Sequence, residues 1–115
     1  MSQTNAPASN RRSSARRKPK TTAKVTCVGG TMGIGPNLAL SMLDVSETGI
    51  RLVLKKAAAV GQEVEVGLEG VGDHRPAKVA ARVIWCAALA DGSYCIGARF
   101  LKALPYGLLH ALAYL

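Results

Sequence analysis

Asp44-Val45-Ser46-Glu47-Thr48-Gly49-Ile50-Arg51-Leu52-Val53-Leu54-Lys55 reads as a turn running into a strand. Ile50, Leu52 and Leu54 alternate with Arg51, Val53 and Lys55, the period of two that sends alternate side chains to one face of a sheet. Asp and Ser favour turns because their side chains hydrogen-bond nearby backbone, and Gly tolerates the dihedrals a turn demands. Upstream, Leu38, Leu40 and Met42 alternate with Ala39, Ser41 and Leu43. The Asp44–Gly49 motif is therefore expected in a turn linking two strands.

The β pattern extends in both directions. Val25-Thr26-Cys27-Val28 is a short strand candidate, followed by a Gly-rich excursion from Gly29 to Asn37. In Glu63–Glu69 the valines and leucine point one way and the glutamates the other. Lys78–Leu89 reads as a long strand with Val79, Ala81, Val83 and Trp85 on one face, and Asp91-Gly92 turns it into Ser93–Phe100. Strands at this spacing, with short turn signals between them, predict an all-β barrel, whose closure removes exposed edges. The tail changes period. Pro105 suits a first helical turn, and Leu104, Leu108, Ala111 and Leu115 share one helical face, expected to pack on the barrel. Tyr106, His110 and Tyr114 form a second stripe, which reads as an ordinary exposed face rather than a partner surface.

A chain of 115 residues, 49% hydrophobic, forms one small domain with a modest core. Its aromatic content of 4% leaves that core to Val, Leu, Ile and Ala. The net charge of +8 is unevenly spread. Arg11, Arg12, Arg16, Arg17, Lys18, Lys20 and Lys24 fall within residues 1–24, which hold no acid, while the other eight basic groups face all seven acids. Residues 1–23 thus read as a flexible basic arm that seeks anions, and residues 24–115 as the barrel with its C-terminal helix.

Several function classes are set aside. Cys27, Cys86 and Cys95 form no CxxC pair, and their odd number argues against a complete disulfide framework. They read as small apolar side chains in a reducing cytoplasm. With only His74 and His110, no zinc site is expected. No apolar signal region and no stretch of membrane-spanning length is visible. Gly30 and Gly35 have P-loop spacing, but Pro36 stands where the lysine belongs, and Gly33-Ile34-Gly35 does not complete a GxGxxG. Neither His has an evident Ser or Cys plus acid partner, so the chain is not expected to be an enzyme.

Two motifs remain. Arg12-Ser13-Ser14-Ala15-Arg16 is an RxxxR in the basic arm, and Asp44-Val45-Ser46-Glu47-Thr48-Gly49 is a DxSxxG before a strand. The first is common in any Arg-rich tail. With each fixed type at roughly 6% of residues, chance places the second in a chain this size about once in 40, so it carries most of the signal. Together, in this order, they resemble the signature of the PilZ domain, a bacterial receptor module for cyclic di-GMP. The run Val83-Ile84-Trp85, a loop and Ile96-Gly97-Ala98-Arg99-Phe100 resembles the family's last hairpin, so the similarity covers about residues 10 to 102.

The resemblance implies a six-stranded antiparallel barrel and a cyclic di-GMP-binding receptor or adaptor. Arg12 and Arg16 would grip phosphates and guanine edges, a fork geometry that suits both. Asp44 would accept from a guanine N–H edge, Ser46 would hydrogen-bond nearby, and Gly49 would let strand and turn come close to the ligand. Arg11 and Arg17 would add charge. The arm would order over the nucleotide and signal to an unknown partner protein. Two alternatives stay open: a nucleic-acid-binding module, which explains the charge but not Asp44–Gly49, and a degenerate PilZ domain serving only in protein interaction. Departures from the family pattern are the basic run Arg17-Lys18-Pro19-Lys20, Glu47 inside the second motif, and the Gly29–Asn37 excursion.

Overall fold

Ile50, Leu52 and Leu54 are buried, as their alternation requires, and they anchor the strand Gly49–Leu54 inside a six-stranded antiparallel sheet. The computed structural model describes residues 15–20, 23–29, 35–70 and 77–113. In chain order the strands are β1 (Lys24–Gly29), β2 (Ala39–Val45), β3 (Gly49–Leu54), β4 (Glu63–Glu69), β5 (Ala77–Ala88) and β6 (Tyr94–Phe100), with helix α1 (Tyr106–Leu112) after them. Their order across the sheet is β1-β4-β5-β6-β3-β2. The sheet curls until β1 and β2 nearly meet. There the Leu38 N–H donates to the Cys27 carbonyl at 2.8 Å, and Asn37 Oδ1 accepts from the N–H groups of Cys27 and Ala39, each at 2.9 Å. The expected barrel is therefore present, nearly closed, with Asn37 pinning the end of the Gly-rich excursion. That excursion does not displace β1, which pairs with β4 from Lys24–Glu69 to Gly29–Val64.

The interior is aliphatic. Ile50, Leu52, Leu54, Val66, Leu68, Val83 and Ile96 are at most 1% exposed. Complete burial of one such side chain stabilises the fold by roughly 1.5–3 kcal/mol. On β4, Val64, Val66 and Leu68 face in as expected.

Two expected faces are broken by β-bulges. In each, an extra residue on one strand reverses the facing of the residues beyond it. On β2 the ladder shifts between Ala39 and Ser41 and again between Met42 and Asp44. The extra residues, Leu40 and Leu43, are 53% and 40% exposed, so the expected Leu38-Leu40-Met42 face does not exist. On β5 the shift lies between Val83 and Trp85. Ala81 and Val83 are buried, but Trp85 leaves their face and is 37% exposed.

The tail is helical, but only over seven residues, with Pro105 as the residue before it. Its buried side chains are Leu109 and Leu112, not the expected Leu108 and Ala111 stripe, which is half-buried; Leu104 is buried ahead of the helix, and Leu115 lies outside the described residues. A helix this short has little stability of its own. Packing against the barrel and a bond from the Lys20 N–H to the Leu112 carbonyl, 2.8 Å, hold it in place. Tyr106 and His110 are exposed, their rings 6.0 Å apart. Among the described residues, no helix is long and apolar enough to cross a membrane.

Candidate functional site

The Asp44–Gly49 motif is not wholly a turn. Asp44 and Val45 are the last residues of β2, Ser46–Thr48 turn the chain, and Gly49 opens β3. Within that turn the Ser46 hydroxyl accepts from the N–H groups of Gly49, 3.1 Å, and Thr48, 3.3 Å, while the Ser46 N–H donates to the Gly49 carbonyl at 2.8 Å. The loop is also tied to the strands behind it. The Thr48 carbonyl accepts from Phe100 N–H at 2.9 Å, and the Glu47 carbonyl from Leu104 N–H at 2.8 Å. Gly49 has a local steric reason: a Cβ there would lie 2.8 Å from the Ala98 carbonyl oxygen on β6.

Asp44 stands opposite Arg51 in the β2–β3 ladder. The Arg51 Nε donates to Asp44 Oδ2 at 2.8 Å, and its Nη2 donates to the same oxygen. The other oxygen, Oδ1, accepts from Arg16 Nη1 at 3.1 Å. Arg16 is brought there by its neighbour: the Arg17 N–H donates to the Val45 carbonyl at 2.9 Å, and the Val45 N–H to the Arg17 carbonyl at 3.0 Å. The Asp44 side chain is 10% exposed between these two cations. Hydrogen bonding and charge from Asp44 push the Arg51 guanidinium pKa further up, so Arg51 stays a cation.

Beside this clamp lies an open cleft of about 320 Å³, lined by Arg16, Ser46, Thr48, Gly49, Ile50, Ile84, Trp85, Gly97, Ala98 and Arg99. That volume is at the lower end of small-ligand sites, roughly 300–1,000 Å³. Two arginines and no carboxylate line it. The aromatic residue of the lining is Trp85. Trp85 pairs with Gly97 across β5–β6, and a Cβ at Gly97 would overlap the indole ring. Gly97 is thus flat ground on which Trp85 lies. Along this row the register runs Asp44, Arg51, Gly97, Trp85 across β2, β3, β6 and β5. Such a surface offers cations for phosphates and a π face for a planar base. A larger groove of about 700 Å³ runs along the β1–β2 seam, but Glu69 joins Lys20 and Lys24 in lining it, and it contains none of the motif residues.

Of the residues singled out in the sequence, Arg16, Ser46 and Gly49 line the cleft. Asp44 does not line it and instead touches Arg16 from behind. Arg17 contributes the ladder to Val45; its Nε is buried without a hydrogen-bond partner, and it does not line the cleft. Arg11 and Arg12 lie outside the described residues. Sequence reading passed over Arg51, Trp85 and Arg99 as site residues. The signals for them were faint: a cation two residues past Gly49, a solitary Trp, and an Arg two residues past Gly97.

The chain forms a barrel with a DxSxxG hairpin beside a basic cleft, and its sequence matches the PilZ domain over residues 10–113, nearly the whole chain. The chain belongs to the PilZ domain family, a family of cyclic di-GMP receptor modules. Comparison with curated proteins and with solved structures gives no match.

Proposed function

We propose that this protein is a cytoplasmic cyclic di-GMP receptor that acts by binding rather than by catalysis. The observation that carries the reading is the convergence of Arg16, the Ser46–Gly49 turn, Trp85 and Arg99 on one cleft without an acidic side chain. In this reading Arg16 turns from Asp44 to a phosphate or to the O6/N7 edge of guanine. Trp85 stacks on a guanine face, and Arg99, which makes no ion pair among the described residues, supplies a second cation. Asp44 Oδ1, once Arg16 has turned, accepts from a guanine N–H. Arg12 joins Arg16 in gripping a phosphate or a guanine edge, Arg11 and Arg17 add positive charge, and the arm orders over the ligand to present a surface to a partner protein.

Calorimetric titration of the full chain with cyclic di-GMP tests this. Saturable binding, with GMP and the linear dinucleotide much weaker, is expected. Absence of heat and of chemical-shift change at high ligand concentration would leave a PilZ domain that works through protein contacts alone.

A further inference from the structure

The Asp44 carboxylate carries three arginine N–H contacts, and the two arginines differ in kind. Arg51 makes two of them, both to Oδ2, from a strand paired on both sides, with β2 and with β6. Arg16 makes one, to Oδ1, from the segment 15–20, with a side chain 56% exposed. Arg16 lines the cleft and Arg51 does not. Removing the partner of a nearly buried carboxylate is ordinarily strongly unfavourable, because a charge is left uncompensated. Here Asp44 has a second cation, Arg51, on its other oxygen.

We propose that Arg51 is a positioning residue, a standing counter-ion that holds Asp44 paired through Oδ2 while Arg16 exchanges Oδ1 for the nucleotide. The inference rests on the cyclic di-GMP reading of the cleft. In the ligand-free protein Arg16 is parked on Oδ1. A ligand phosphate competes for its guanidinium, and Oδ1 is released to a guanine N–H, so one donor replaces another. Oδ2 takes no part, because Arg51 keeps it. Without Arg51 both carboxylate oxygens compete for Arg16, and the arginine is drawn away from the ligand. The exchange also explains why a cleft residue can be tied up in an ion pair before the ligand arrives: Arg16 makes a single contact from a side chain that is 56% exposed, whereas the two-donor Arg51 contact fixes the carboxylate.

The test is calorimetry with cyclic di-GMP on the wild-type protein and on Arg51→Ala and Arg51→Lys, joined to NMR of the arginine Nε–H groups. Arg51→Ala is expected to bind about tenfold or more weakly, and Arg51→Lys to recover part of the loss, since an ammonium restores the charge but not the two-donor fork. In the wild type, the Arg51 Nε–H signal should keep its position and slow exchange on saturation while that of Arg16 moves, a signature that does not depend on any variant folding. Equal affinity in wild type and Arg51→Ala, or an Arg51 signal that moves with ligand as far as that of Arg16, overturns the inference and leaves the receptor reading standing. A wild-type protein that takes up no nucleotide overturns the receptor reading and the exchange with it.

Discussion

Replacing Gly97 with alanine should disable the cleft from beneath. A Cβ at that position would lie within 3.0 Å of three indole atoms of Trp85, Nε1, Cε2 and Cδ1. The Ala98-Gly97 backbone is fixed between β3 and β5, so the ring must yield. Trp85 can do so because it is already 37% exposed. Overpacking typically costs 1–3 kcal/mol, and a ring free to swing into solvent puts this case near 1 kcal/mol, about 4 °C in Tm for a domain of this size. The larger effect falls on the ligand. Stacking of a base on an aromatic ring contributes about 1–3 kcal/mol, so cyclic di-GMP affinity should fall roughly 5- to 150-fold.

Trp85 is the sole tryptophan of the chain, so its emission reports on the ring directly. Wild-type emission should change on nucleotide binding. Gly97→Ala should show a red-shifted ligand-free spectrum and a weakened titration. Trp85→Ala should lose as much affinity as Gly97→Ala, and the double variant no more than either, because both act through one ring. A Gly97→Ala protein with wild-type affinity, or fully additive losses in the double variant, would show that the indole is not the base platform.

The same geometry sets the outcome of other perturbations. Arg16→Ala should weaken cyclic di-GMP by about tenfold or more, the effect of one charge-assisted hydrogen bond of roughly 1.5–3 kcal/mol, yet leave the ligand-free melting temperature nearly unchanged, since the side chain is 56% exposed; a large drop in melting temperature would make Arg16 structural. Asp44→Ala separates two readings of the charge: cyclic di-GMP binding should fall sharply, whereas any salt-sensitive attraction to nucleic acid should survive removal of an acid, and unchanged nucleotide binding would end the guanine role of Asp44. Burial pushes the Cys27 thiol pKa up from 9.0 to about 11. In the folded protein at pH 8 it should therefore resist alkylation while half-buried Cys86 is modified first, as mass spectrometry of labelled peptides would read. The raised value also fixes a sign: the stability from burying the neutral thiol is complete below about pH 9 and is lost as pH rises toward 11.

What the amino-acid pattern revealed, and what it hid, divides along one physical line. β3 and β4 keep strict alternation, and their inward residues were legible without any structure. The ladder register was not legible where a residue is inserted, because a bulge changes no composition and leaves the local pattern intact. Without the bulge between Met42 and Asp44 in β2, Leu43 would oppose Arg51, and Asp44 would oppose Ile50, a core residue 1% exposed. The bulge gives Asp44 to Arg51 instead and keeps a carboxylate out of an aliphatic interior. Without the extra residue in β5, Trp85 would oppose Ile96, which is fully buried, in place of Gly97. The bulge turns the indole outward onto the one residue of that strand with no side chain. Asp44, Ser46 and Gly49 could be singled out because their residue types state a turn and a resemblance. Arg51 and Trp85 could not, because what makes them partners of the site is a one-residue shift in pairing. The bulges at Leu43 and Ile84 that defeat a period-of-two reading thus set two features of the site, the carboxylate that pairs with Arg16 behind the cleft and the indole that lines it.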